Sequence, residues 1–180
     1  KDGNRTGKGT FTWANGDIYE GDWVEGKRTG EGTFTSANGD SYEGDFVDGK
    51  RHGFGILWDS GDKYEGDWAE DEKHGQGTLV LANGDRYEGE WDDFSFMHGH
   101  GTYTWASGDK YEGEYNYDER GQGAYTYTSG DKYEGIVKSG KKQGNGTYIW
   151  ANGDKYQGDW AYNERHGHGI FTWASGDKYE

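Results

Sequence analysis

A chain of 180 residues with 35 glycines, no proline and no cysteine carries a formal charge of −15 at pH 7. Without cysteine there is no disulfide framework and no cysteine-based metal centre. Without a run of 18 apolar residues there is no membrane-spanning helix, no signal peptide is visible, and so acidic a balance disfavours nucleic acid. Leu, Ile, Val and Phe make only about a tenth of the chain, by itself a signature of disorder. The 9 Trp, 15 Tyr and 7 Phe contradict it, because disordered chains are poor in aromatics and these recur at a fixed interval.

In chain order, Tyr19-Glu20-Gly21-Asp22-Trp23 alternates with period two and reads as a strand, with Tyr19, Gly21 and Trp23 on one face and Glu20 and Asp22 on the other. A polar loop, "VEGKRT", leads to a second strand over Gly30–Thr35, with Gly30, Gly32 and Phe34 sharing a face. Asn38-Gly39 favours a type I′ turn into a return strand. The phrase restarts at Tyr42, Tyr64, Tyr87, Tyr111, Tyr133, Tyr156 and Tyr179, in steps of 22 to 24 residues. A Gly-x-Gly pair keeps the same beat, from Gly7/Gly9 to Gly167/Gly169. Such a period marks stacked supersecondary units. The predicted fold is all-β: an elongated, open antiparallel meander of eight tandem β-hairpins over residues 1–180, a single-layer twisted sheet of about sixteen strands with no helix. Starting and stopping inside a repeat, the chain is expected to be part of a longer array.

Some positions depart from the pattern. Ser36 and Leu81 stand where other repeats have Trp. The fourth loop, "DDFSFMHG", is one residue longer and offers Phe94, Phe96 and Met97, either as a contact site or folded back over the sheet. The sixth unit has Ile136 and Val137 in place of the usual acid and Trp, beside a small basic spot of Lys138, Lys141 and Lys142.

The stretch "YEGDWVEGKRTGEGTFTSANGD" resembles the MORN (membrane occupation and recognition nexus) repeat: Tyr-x-Gly-x-Trp, a short Gly-containing loop, then His-Gly-x-Gly and an aromatic. The resemblance covers essentially the whole chain. It implies hairpin arrays that serve as interaction scaffolds, common in cilia and flagella (radial-spoke heads among them) and in cortical cytoskeleton. The expectation is therefore a non-enzymatic cytoplasmic scaffold in a cytoskeletal or axonemal assembly.

A one-layer sheet cannot bury its aromatic face by itself, so that face is read as a groove for an extended or helical segment of a protein partner. The candidate contacts are Tyr19, Trp23, Tyr42, Phe46, Tyr64, Trp68, Tyr87, Trp91, Tyr111, Tyr115, Tyr133, Tyr156 and Trp160, with the loop residues Phe94, Phe96 and Met97. The opposite face is expected to be acidic and hydrated, carrying Glu20, Glu43, Glu65, Glu88, Glu112 and Glu134. Unpaired strands at both ends of the meander make edge-to-edge homodimerisation a further expectation. The alternative reading is a peripheral membrane module for phosphoinositide or anionic lipid, which needs clustered bases. It finds only Lys27/Arg28, Lys50/Arg51 and Lys141/Lys142, against 34 acidic residues. A third is an aromatic cage array for quaternary ammonium, whose known repeats lack this Tyr-x-Gly-x-Trp and Gly-x-Gly pairing. No cofactor, metal site or catalytic residue is expected. His52, His74, His98 and His166 each precede a Gly at the loop-closing turn, and neighbouring repeats, about 10 Å apart, cannot share a zinc. The turn aspartates, Asp17 to Asp177, are read as binding turn amides.

Overall fold

The computed structural model describes residues 4–180, among which there are sixteen β-strands and no helix. The strands follow one another in chain order in a single open antiparallel sheet. The chain divides into two compact units: the first runs to Gly84 and includes Glu90–Phe96, and the second comprises Asp85–Gly89 and Met97–Glu180. The first holds β1 (Gly7–Thr12), β2 (Ile18–Val24), β3 (Lys27–Thr35), β4 (Ser41–Val47), β5 (Lys50–Asp59), β6 (Asp62–Ala69) and β7 (Glu72–Val80). β8 (Arg86–Trp91) gives residues to both. The second holds β9 (Met97–Thr104), β10 (Lys110–Asn116), β11 (Glu119–Thr126), β12 (Lys132–Lys138), β13 (Lys141–Ile149), β14 (Lys155–Ala161), β15 (Glu164–Thr172) and β16 (Lys178–Tyr179).

Two kinds of turn alternate, and they are distributed the other way round from the sequence expectation. The polar loops are the two-residue turns: Glu25 and Gly26 sit at φ 49° and 81° between the paired Val24 and Lys27. Positive φ at both central positions is the type I′ signature. At "ANGD" only the glycine is left-handed. Gly39 has φ 99°, Gly39 N–H donates to the Ser36 carbonyl, and Ser36 N–H closes the turn on the Asp40 carbonyl. Asn38 keeps a right-handed backbone because its amide oxygen accepts from Asp40 N–H at 3.1 Å, and the aspartate is committed elsewhere.

That commitment binds each repeat to the next. In the first unit Asp17, Asp40 and Asp62 accept, through Oδ1, from the backbone N–H of Ala37, Ser60 and Ala82. In the second, Asp85, Asp109, Asp131 and Asp154 accept from Ala106, Thr128, Ala151 and Ala174. The turn aspartates do bind turn amides, but those of the following repeat.

The two glycines of Gly-x-Gly have different reasons. The first occupies a β-bulge: Gly75 has φ 58°, and the register of β6 on β7 slips between Gly66 and Asp67. The second makes room for a ring. Gly77 pairs with Gly66, and the Tyr64 ring lies across this bare patch. Tyr64 Oη donates to the Asp67 carbonyl at 3.0 Å, just past the bulge, while the Asp67 carboxylate accepts from Gln76 N–H at 3.0 Å. Tyr42, Tyr111, Tyr133 and Tyr156 repeat the Tyr-to-(i+3) carbonyl bond at 3.0–3.1 Å. One motif thereby positions a bulge, a ring and a hydroxyl.

Candidate partner-binding face

The structure sorts the sixteen candidate contacts by depth. The first Tyr of each repeat and its following aromatic, Tyr19, Trp23, Tyr42, Phe46, Tyr64, Trp68, Tyr87, Trp91, Tyr111, Tyr115, Tyr133, Tyr156 and Trp160, are all buried. They form a packed floor. In the first unit edge-to-face contacts at 5.0–5.3 Å run from Tyr19 to Trp23 and Phe46, from Tyr42 to Phe46 and Trp68, and from Tyr64 to Trp68 and Trp91. Indole N–H groups of Trp68 and Trp160 donate to the carbonyls of Gly55 and Gly146 at 3.2 and 3.1 Å. Among the described residues no buried polar or charged side chain interrupts this layer. Val137, 2 % exposed, fills the sixth ring position, so Tyr133 meets its next ring only at Trp160, 5.5 Å away.

Above the floor lies a lane of half-buried rings from the second strand of each hairpin. In the first unit it starts as Phe11, Trp13 and Phe34 and continues with aliphatic Leu57 and Leu79. In the second it is aromatic throughout: Trp105 stacks on Tyr125 at 5.6 Å, Tyr125 on Tyr127 at 5.8 Å, and Tyr148, Trp150 and Phe171 continue the run at 4.7 and 5.3 Å.

A column of cations stands on these rings. Arg5, Arg28, Arg51 and Lys73 do so in the first unit, and Arg120, Lys142 and Arg165 in the second, each within 6.0 Å of at least two ring centroids. Such contacts are cation–π interactions. The sequence reading saw only separate loop bases. The signal was a Lys or Arg recurring in "KRTG", "KRHG", "EKHG", "ERGQG", "KKQG" and "ERHG". Pairing supplies the rest, since Arg28 faces Trp23 and Arg51 faces Phe46 across the strand pair. The opposite face carries the exposed Glu20, Glu43, Glu65, Glu88, Glu112 and Glu134. Bases stand on that face too, Lys63, Arg86 and Lys110 pairing with Glu65, Glu88 and Glu112, whereas the ring-stacked cations form a separate column on the aromatic face.

Burial shapes the titration of this layer. It pushes Tyr133 up to about 12 and lowers Lys142, a fall that Asp131 partly opposes. The Asp131 carboxylate is held below its usual range, first by the Tyr148 hydroxyl at 2.8 Å and then by Ala151 N–H. A depressed carboxylate stabilises the fold above its unfolded pKa of about 3.9 and ceases to do so as pH falls through the folded value. Asp131→Asn is therefore expected to lower the urea midpoint at pH 7, and the gap from wild type should narrow as pH falls below the unfolded value of about 3.9. A gap as wide in acid as at pH 7 would show that the ionised carboxylate is not what matters.

The long fourth loop is a five-residue turn: Asp92 N–H donates to the Phe96 carbonyl, and Asp92 Oδ1 accepts from Phe94 N–H and Phe96 N–H. It leaves Phe94 71 % exposed and Phe96 41 % exposed rather than folded back over the sheet. Met97 is half-buried and occupies the cation position of its repeat. Its N–H is capped by Asp118, as Arg51 N–H is by Asp71 and Lys142 N–H by Asn163. Among the described residues no group of three or more His, Cys, Asp or Glu could hold a metal ion, and no helix is long and apolar enough to cross a membrane.

Among solved structures the chain is similar to the SAS-4 (dCPAP) TCP domain of Drosophila melanogaster, determined in complex with a proline-rich motif of Ana2 (dSTIL). Identity is 14 %, coverage 96 % of this chain and 87 % of that one, and the TM-score 0.53. The TCP10 domain of Danio rerio CPAP matches with 12 % identity, 96 % and 98 % coverage and a TM-score of 0.33. The first likeness is one of fold. No curated protein matches the chain in sequence. The MORN repeat model matches eight times in succession, over residues 1–18, 19–41, 42–63, 64–86, 87–110, 111–132, 133–155 and 156–178. With Tyr19, Tyr42 and their counterparts opening every match after the first and burying the same ring over the same glycines, the chain belongs to the MORN repeat family.

Proposed function

We propose that this chain is a non-catalytic scaffold that holds a segment of a protein partner along its aromatic lane. One observation carries the reading: a row of half-buried rings, topped by stacked cations in every hairpin but the one where Met97 takes that position, lies open above a floor that is already packed. Buried Tyr and Trp set the shape of the lane, and the second-strand rings and Phe94 make the contact. The fly domain of similar fold was solved with a proline-rich motif. Proline-rich segments adopt polyproline II and dock on aromatic surfaces, which favours an extended ligand over a helical one. The cytoskeletal or axonemal setting we assign rests on the resemblance of the repeats to those of such assemblies.

The test is site-specific photo-crosslinking from Tyr125, on the lane, and from Glu112, on the acidic face. Discrete protein adducts from Tyr125 and none from Glu112 are expected. Equal labelling from both sites would sink the proposal. The cation column also gives the lipid reading a basis, and flotation with phosphatidylserine and phosphoinositide vesicles separates the two. Salt-sensitive flotation would favour the membrane.

A further inference from the structure

We propose that the lane of the second unit binds a polyproline II segment carrying an anionic side chain at every third residue, the anions pairing with Arg120, Lys142 and Arg165. The inference rests on the scaffold reading and extends it to the charge and spacing of the partner.

Charge comes first. Arg120, Lys142 and Arg165 take part in no ion pair, whereas Arg51 of the first unit is held by the Asp71 carboxylate at 3.2 Å and the Asp71 carbonyl at 2.7 Å. Arg28 is likewise occupied, donating to the Gly49 carbonyl at 2.5 Å. The carboxylate facing Lys142, Asp131, is taken up by Tyr148 and Ala151. Lys142 and Arg165 line one hollow with Tyr148, Trp150, Trp160 and the exposed Glu164, which bonds neither cation. Arg120 and Arg165 stand on rings without an ion-pair partner, and Lys142 has near it only a carboxylate already bonded elsewhere; the three call for anions from outside.

Spacing comes second. The three cations are 22 and 23 residues apart, one per hairpin. Two strands at about 4.8 Å put successive cations about 9.6 Å apart. Polyproline II returns to the same side every three residues, after about 9.3 Å. A β-strand presents residue i+3 on its opposite face. An α-helix returns only after seven residues, about 10.5 Å, and drifts out of step from hairpin to hairpin. The unbroken rings between the cations, Trp105, Tyr125, Tyr127, Tyr148 and Trp150, suit the two prolines between successive anions.

The test is fluorescence anisotropy of the full chain with labelled peptides of about six triplets. (Pro-Pro-Glu) is expected to bind about tenfold more tightly than (Pro-Pro-Gln) at low salt, with the advantage shrinking as salt rises. It should also outbind a peptide of the same composition with its glutamates clustered at one end. Arg165→Gln changes an exposed residue and keeps the fold; it should weaken (Pro-Pro-Glu) several-fold and leave (Pro-Pro-Gln) unchanged, as should Lys142→Gln, while Arg51→Gln has no effect. Equal binding of the Glu and Gln peptides, or of the clustered peptide, overturns the anionic register and leaves the scaffold reading standing. Failure of every peptide while Tyr125 still crosslinks a protein overturns the polyproline class. Failure of the crosslinks as well removes the scaffold reading itself. Vesicle binding abolished by Arg165→Gln and not competed by (Pro-Pro-Glu) assigns the column to lipid and overturns the proposal.

Discussion

Gly66→Ala is expected to unfold the first unit under conditions where the wild type is stable. A methyl at this position would lie 2.5 Å from the Gln76 carbonyl oxygen and 2.5 Å from the Gly77 Cα, with Tyr64 Oη at 2.7 Å. Two of the three atoms are backbone. They cannot retreat, because Gly66 is paired with Gly55 on one side and Gly77 on the other, one residue before the bulge at Asp67. The phenol is pinned too, buried against Trp68 and Trp91. Overpacking of this kind costs about 3 kcal/mol or more, a large share of the about 5–15 kcal/mol that a domain commands. Gly9→Ala is the control. It faces Gly21 across its strand pair as Gly77 faces Gly66, but with nothing within 4 Å of the added methyl, and should stay within about 0.5 kcal/mol of wild type. Urea midpoints followed by Trp fluorescence separate the two. Similar losses at both positions would show that backbone freedom, not room for a ring, is why the motif uses glycine.

Trp160→Ala should cost about 3–5 kcal/mol, more than truncating a ring elsewhere in the floor. Trp160 is 7 % exposed and bridges Tyr133 at 5.5 Å and Tyr156 at 5.3 Å, with Tyr148 alongside. Its indole N–H donates to the Gly146 carbonyl. Because Val137 contributes no ring one repeat earlier, among the described residues no other aromatic at that depth covers Tyr133. The variant also removes one of the four rings beneath Lys142, so it should shift the apparent pKa of that amine towards the ordinary lysine value as water enters. Denaturation reads the first effect, and the pH dependence of lysine labelling the second. A loss under about 1 kcal/mol would mean that the floor is not a core.

Much of this was legible in the sequence because β-structure has period two and the hairpins repeat. Tyr19, Gly21 and Trp23 share a face as alternation requires, and the copies of the phrase that open at Tyr19 through Tyr156 give seven equivalent buried rings. What stayed hidden depends on register. Whether Asn38-Gly39 forms a type I′ turn is decided by where Asp40 sends its carboxylate, and its acceptor role lies 20 residues on, at Ser60. Period two also does not distinguish a ring that touches a partner from one that another ring covers. Tyr19 and Phe34 are equally good candidates on paper. The edge-to-face contact of Tyr19 with Phe46, a repeat away, is what buries the first, while Phe34 keeps part of its surface exposed. The same holds for the cations, which become a column only once each is paired opposite the aromatic that ends the preceding strand.

The aspartate that leaves each "ANGD" turn never reaches further than the following repeat, and neither does any floor ring. Within each unit coupling therefore has a range of one repeat, as in a linear chain of identical spins. Opening should spread inward from a free end one hairpin at a time, and amide exchange should be graded along the array rather than uniform. Whole repeats can then be inserted or deleted for the gain or loss of a single junction, so the number of hairpins can be set by the distance a partner has to be held along.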